Sequence, residues 1–432
     1  MTNTINFSTL VARLTPRAIV TATVLIAITG SVSPSATVLE AQATIPVRKL
    51  TNIVSSDTSI LMGLSGVRHL PNGSVLVNDP NKRQLVLFDS TLKKYKIIAD
   101  TSTNSPNSYG LRPATGGLIP YVGDSSLFID SESLAFLVIN PQGEFTRVMA
   151  PTRASDLRYI SSAPFSTAGF DAKGRLIYKT SRPAPGMNSF AFPTDGKPLV
   201  MPASDSAPIM RMDLDKRTVD TVTMMKTAVV KQVITGTNQS IRVSSMINPL
   251  PSADEWTLTP DGTIAIVRTQ DYHIDWVGAD GKMTSSPKMP FEWKRITAEE
   301  KQQMIDSVKK ADADRLAKLP PQSPPPPGMF MPPQAPLMIV APNEIPDFYP
   351  PVRAGQVRAD FEGRVWILPS TSIAGATGGL VYDVVNREGV IVERVQLPKD
   401  RSLVGFGPRG TIYMHYVKTP LVAAIERAHI VR

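Results

Sequence analysis

Three arginines stand beside apolar, strand-like runs: Arg68 in Val67-Arg68-His69-Leu70, Arg268 after Thr263 to Val267, and Arg358 in Val357-Arg358-Ala359. A guanidinium presents a planar fork of N–H donors that suits a carboxylate or a phosphate. The competing role is an ion pair with a neighbouring aspartate, or a bond to a backbone carbonyl. Imidazole chemistry has little material, because the four histidines, His69, His273, His415 and His429, share no motif. The absence of cysteine removes disulfides, thiolate metal sites and cysteine nucleophiles together. No G-x-S-x-G elbow leads into a helix, and no phosphate-binding P-loop is present. Met187, Met201, Met210, Met212, Met224, Met225 and Met246 cluster in one stretch. Thioethers can hold Cu(I), but methionine more often fills gaps in a core. The residues therefore assemble no catalytic constellation, and the elements that carry them become the more informative subject.

Those elements repeat. An apolar strand, a turn with Asp, Asn or Pro before Gly, a second strand, and a third strand recur along the chain. The clearest copy is Val67 to Leu70, Pro71-Asn72-Gly73, and Ser74 to Asp79, followed by Arg83 to Asp89. Asn-Gly between β-rich runs is a strong hairpin signal, because both turn residues tolerate positive φ. Further copies centre on Asp124, on Asp171-Ala172-Lys173-Gly174, on Pro260-Asp261-Gly262, on Asp360-Phe361-Glu362-Gly363, and on Pro408-Arg409-Gly410. Trp256, Trp276 and Trp366 fall at repeat positions and read as packing residues. Six copies, with turns about 50 residues apart where insertions are small, match the period of four-stranded propeller blades. The fold expected is thus all-β: a six-bladed β-propeller with an inserted helix and a proline-rich loop. Residues 47–54 are strand-like and are expected to complete the last blade, joining the two ends of the chain. Strand starts lie close to the axis of a propeller, so Arg68, Arg268 and Arg358, with His273, are the candidate residues for a small anionic ligand.

The first 43 residues read as a signal peptide. Arg13 and Arg17 precede the apolar run Ala18 to Val32, which is too short to span a bilayer and is followed by Ala41-Gln42-Ala43. The expected location is the periplasm or the cell exterior, and residues 44–432 form the propeller. An exported chain without disulfides must be held by its core, which this length permits. The formal net charge is +9, from 46 basic and 37 acidic residues. No run of Lys or Arg exceeds two, so the charge reads as dispersed and solubilising, and no nucleic acid partner is expected.

The turns of the form Asp-x-x-Gly before a strand with Trp or Tyr resemble those of NHL- and TolB-like six-bladed propellers. The similarity extends to exported bacterial members of that superfamily, mostly of unassigned function, over roughly residues 45–432. Lactonase-type propellers of this kind bind a divalent cation through Glu, Asn and Asp at inner strand ends. By that resemblance Asn78, Asp79, Asp130 and Asp360 are candidate ligands for Ca2+ or another divalent cation, although Asp-rich turns also cap hairpins. Related propellers include hydrolases, lyases and protein-binding scaffolds, so the fold does not choose among them.

Residues 291–350 interrupt the repeat. Thr297-Ala298-Glu299-Glu300 is a capping box, which predicts a helix to about Leu319 with Ile305, Val308, Leu316 and Leu319 on one stripe. A proline-rich run to Pro336 follows, suited to an extended loop. This insertion reads as a lid or docking arm, or as an ornament on the rim. The leading expectation is a non-catalytic exported propeller that binds a protein, peptide or small anionic ligand on one face or at the channel mouth. The alternatives are a metal-dependent hydrolase or lyase of the lactonase-like type, and an envelope structural protein.

Overall fold

The structure, a computed structural model, describes residues 45–102, 109, 116–130, 132–161, 168–181, 199–201, 204–237, 240–317, 337–374, 378–419 and 422–431. The predicted signal peptide and the proline-rich run Pro320 to Pro336 lie outside these residues. Among the described residues, no helix is long and apolar enough to cross a membrane.

Turn chemistry sets the local structure. At Pro71-Asn72-Gly73, Gly73 adopts φ +82°, and its N–H donates to the Leu70 carbonyl at 2.8 Å while Leu70 N–H bonds to Ser74 at 2.9 Å. Only a residue without Cβ takes that backbone easily, so the hairpin forms where the sequence places glycine. Among the described residues, repetition of this unit yields six antiparallel meanders of four strands each, one of which carries a further, parallel edge strand. The first sheet runs from Gly66 to Ala99, the second from Gly116 to Met149, and the third from Gly169 to Lys226. The fourth runs from Glu255 to Ser285 and the fifth from Val357 to Gln396. The sixth combines Arg401–Phe406, Thr411–Thr419 and Val422–Ile430 with Leu50–Ser55.

Second strands such as Val75–Asp79 and Ser126–Asp130 are buried along their whole length, whereas outer strands such as Met283–Ser285 are exposed. Burial on both faces means that each sheet is covered by two others. The apolar clusters show which. Leu76 and Leu85 of the first sheet pack with Phe128 and Ile139 of the second. Ile129 and Phe136 pack with Leu176 and Met212 of the third, and Ile177 and Ile209 with Trp256 and Ile264 of the fourth. Val267 and Ile274 meet Val357 and Val365 of the fifth, and Trp366 and Tyr382 meet Leu403 and Ile412 of the sixth. The sixth returns to the first through Val404, Tyr413 and Ile425 against Val75, Val77 and Val86.

First strands approach one another closely. A Cβ at Gly66 would stand 3.3 Å from Leu118 of the second sheet, and one at Gly405 would stand 3.2 Å from Val67 of the first.

Two features differ from the expectation. Residues 47–54 do not form one strand. Val47–Arg48 lies parallel to Ile391–Gln396 at the edge of the fifth sheet, and Leu50–Ser55 pairs with Val422–Ile430 of the sixth. The chain shifts register between Thr51 and Val54, where Asn52 takes φ +53°. A seventh, three-stranded sheet, Leu199–Met201, Gln232–Thr237 and Ser240–Ser245, also lies outside the repeat.

The predicted capping box forms as read. Glu300 N–H donates to Thr297 Oγ1 at 3.1 Å, and Thr297 N–H donates to the Glu300 carboxylate at 2.9 Å, at the start of helix Ala298–Ala317. The helix packs through Met304 and Ile305 against Val340, Ile345, Met246 and Leu250, forming a small core of its own.

Candidate functional site in the cleft beside the insertion

The base of the insertion is clamped by two short backbone bonds. Ile296 N–H donates to the Asp347 carbonyl at 2.8 Å, and Tyr349 N–H donates to the Lys294 carbonyl at 3.0 Å, so the segments around Arg295 and Phe348 run antiparallel. An aromatic series leads outward along the same segment. Tyr272 meets Phe291 edge-on at 5.6 Å, and Phe291 meets Trp293 edge-on at 5.2 Å. Trp293 is 47% exposed and Phe348 44%, whereas Trp256, Trp276 and Trp366 are buried. Large aromatic surface left in water on a rigid support is a usual mark of a binding site.

Between this wall and the ends of the third and fourth sheets lies a cleft of about 460 Å³. Val229, Trp293, Pro346, Phe348, Pro350 and Pro351 supply its apolar lining, and Asp205, Lys226, Asp254, Thr269, Gln270 and Asp347 its polar groups. Asp254 forms the floor and is buried. Its carboxylate accepts Lys226 N–H at 3.0 Å, Thr269 N–H at 3.1 Å and the Arg268 guanidinium at 2.7 Å, which ties the third sheet to the fourth.

Arg268 thus stands behind the cleft floor instead of reaching into it. Its Nε donates to Asp275 at 2.6 Å as well. Burial works against its charge, but the two carboxylates outweigh that effect and raise its pKa. His273 shares this network, with Nε2 3.2 Å from Asp275 Oδ1.

The other two arginines sit elsewhere. Arg68 bonds to the Ser125 carbonyl at 3.2 Å and Ser126 Oγ at 3.4 Å, bridging the first and second sheets, and burial lowers its pKa to about 10. Arg358 donates to its neighbour's carbonyl at Val357 at 2.7 Å, and burial lowers its pKa. Glu255 of the fourth sheet lies within its field, and burial raises that carboxyl's pKa. Among the described residues no contact joins the three guanidiniums to one another.

The four residues named as cation ligands fall on three sheets, and their oxygens already have donors. Asp79 accepts N–H bonds from Met62, Asn81 and Lys82 at 2.8, 3.1 and 3.1 Å. Asp130 accepts Glu132 N–H at 3.1 Å and the Ser133 hydroxyl at 2.5 Å. Asp360 accepts Glu362 and Arg364 N–H at 3.0 and 2.9 Å, and its second oxygen takes Arg364 Nε and Trp366 Nε1 at 2.8 and 2.9 Å. Asn78 receives the Tyr109 hydroxyl at 2.8 Å and donates to Ser65 at 2.8 Å. Asp79 and Asp130 both lie within the field of Tyr109, whose buried hydroxyl is pushed well above its ordinary pKa. Three donor residues therefore share one neighbourhood, but they are engaged in turns and core bonds. A divalent cation needs several oxygens turned onto one point. Among the described residues, no group of three or more His, Asp or Glu side chains is gathered in a metal-binding manner.

The repeat itself carried no sign of the cleft. One signal was present: Trp293 is the tryptophan that falls outside the repeat positions.

No protein-family model matches the sequence, and no curated protein does. Among solved structures, the chain is similar to virginiamycin B lyase from Staphylococcus aureus, at 10% identity and TM-score 0.37, over 88% of this chain and 99% of that one. It is similar to a gluconolactonase from Xanthomonas campestris at 9% identity and TM-score 0.41, over 89% and 95%. A calcium-binding regucalcin from Agrobacterium tumefaciens is similar at 11% identity and TM-score 0.36, over 89% and 96%. At such identities and scores these likenesses transfer no activity to this chain.

Proposed function

We propose that this chain is an exported six-bladed β-propeller that binds a peptide segment of another protein in the cleft beside its insertion. The six-bladed reading is supported by six apolar clusters, each shared by two consecutive sheets, one of them between the sixth sheet and the first. The carrying observation for binding is the pair Trp293 and Phe348, large apolar side chains half in water on a backbone clamped at both strands. An extended segment laid in the cleft would cover both rings and meet hydrogen-bonding groups at Thr269, Gln270 and Lys226. Export rests on the N-terminal sequence alone.

The test is selection of peptides from a displayed random library on the purified protein, followed by calorimetry. Selected peptides should bind the Trp293→Ala protein at least about tenfold more weakly, the loss of a buried aromatic anchor, with thermal unfolding unchanged. Absence of enrichment, or equal binding by the variant, would remove the reading.

A further inference from the structure

The charges around the cleft define which segment it takes. Lys226, the one cationic side chain in the lining among the described residues, places its ammonium 2.8 Å from Gln270 Oε1, so it is turned along the wall. Asp254 is neutralised by Arg268 below the floor. Asp205 is exposed, and its carboxylate has no partner among the described residues. Asp347 meets Lys301 at 2.7 Å through one oxygen but keeps 75% of its side chain in solvent. Two solvent-exposed carboxylates, Asp205 and an Asp347 that Lys301 and Arg295 also attract, thus line the same cleft as Trp293 and Phe348. The negative face of an aromatic ring and a carboxylate both favour a cation with an apolar stem.

Resting on the binding reading above, we infer that the cleft recognises a basic side chain of its peptide ligand, an arginine or lysine whose stem lies on Trp293 and whose charge meets Asp205 and Asp347. This reverses the sign expected from the arginines, which are held within or between the sheets. It also places an acidic mouth on a chain whose formal net charge is +9, so a basic ligand is attracted here and repelled over much of the remaining surface.

Trp293 reports on the cleft directly, because the other three tryptophans are buried. In the full-length protein at constant ionic strength, caesium should quench its emission more than iodide does when each is scaled to its quenching of free N-acetyltryptophanamide, and Asp205→Asn with Asp347→Asn should abolish the difference. A leucine-flanked tetra-arginine peptide should perturb the same emission, and its tetra-glutamate counterpart should require at least about tenfold more peptide, the scale of one cation–π contact with a charge pair. Stronger quenching by iodide, or equal binding of the glutamate peptide, would overturn the choice of a cation while leaving the cleft a binding site. Binding of neither peptide, with Trp293 emission unchanged, would overturn both readings.

Discussion

Replacing Arg268 with methionine separates a structural guanidinium from one that waits for a ligand. Its Nη1 lies 2.7 Å from Asp254 and its Nε 2.6 Å from Asp275, and both carboxylates are almost wholly buried, at 3% and 4% exposure. Methionine keeps the stem but leaves two carboxylates without their cation. Asp254 would retain the N–H groups of Lys226 and Thr269, and Asp275 the hydroxyl of Ser285 at 2.5 Å. Breaking a buried ion pair by removing one partner costs about 3–5 kcal/mol, and the surviving hydrogen bonds place the loss toward the lower end. Urea unfolding followed by circular dichroism should report it as a lower midpoint at unchanged slope. The dependence on pH adds a second readout. Burial pushes the Asp275 carboxyl up, but Ser285 and Arg268 outweigh that, and its pKa is lowered overall. A carboxylate with a depressed folded pKa stabilises the protein above its unfolded value near 4, and that contribution is lost as pH falls through the lower folded value. The acid limb should therefore be steep in the native protein and flatter in Arg268→Met. A midpoint within about 0.5 kcal/mol of the native value, the range of an ordinary surface change, would refute the assignment.

Three other perturbations test other parts of the fold. His415 has a buried Nε2 without a hydrogen-bond partner among the described residues, and burial lowers its pKa despite the field of Asp79. A base held neutral in the fold contributes its stability above its unfolded pKa near 6.5, so stability should fall as pH drops from 7 to 5, and His415→Leu should flatten that slope in thermal melts. Gly174 and Gly262 occupy equivalent turns at φ +71° and +79°, but a Cβ at 174 meets open space and one at 262 comes within 2.6 Å of Asp171 in the neighbouring sheet. Alanine should cost about 1 kcal/mol at 174 and about 3 kcal/mol or more at 262, and equal costs would argue against that sheet contact. Deleting residues 1–56 removes Leu50–Ser55 and uncovers Val422–Ile430, so the truncated chain should aggregate, whereas deleting residues 1–44 should preserve the melt.

The repeat was legible because each turn carries its own chemistry. Gly73, Gly174, Gly262, Gly363 and Gly410 all adopt positive φ, and the strands that follow such turns, Val75–Asp79 and Ile264–Arg268 among them, are largely buried on both faces. The capping box at Thr297 was legible for the same reason, since both bonds join residues three apart. The arginines were legible only as strand-borne cations, because strand position fixes where a side chain begins but not what it meets. Arg268 finds Asp254 and Asp275, 14 and 7 residues away, and Arg68 finds Ser125 and Ser126 on the next sheet. The cleft was illegible because it arises where distant segments converge: Asp205 just before the strand Ser206–Asp213 of the third sheet, Val229 after that sheet, Thr269 in the fourth, and Trp293 and Phe348 at either side of the insertion. No local pattern encodes that convergence. The seventh sheet escaped notice because Leu199–Met201 pairs with Gln232–Thr237 across the whole outer hairpin of the third sheet.

The pairing of Leu50–Ser55 with Val422–Ile430 also sets the order of events during synthesis. The Ile425 N–H donates to Ser56 Oγ across 369 residues, and Leu61 forms a bridge to Ala423. The sixth sheet therefore lacks an inner strand, and Leu50–Ser55 lacks its partner, until Val422–Ile430 has been made. Earlier sheets can form as hairpins, but the apolar residues that the first sheet turns toward the sixth, among them Val75, Val77 and Val86, stay uncovered until then. Completion is consequently a late, all-or-none event. Until Val422–Ile430 is in place the chain stays incompletely folded, and an incompletely folded chain can still be threaded through a narrow pore.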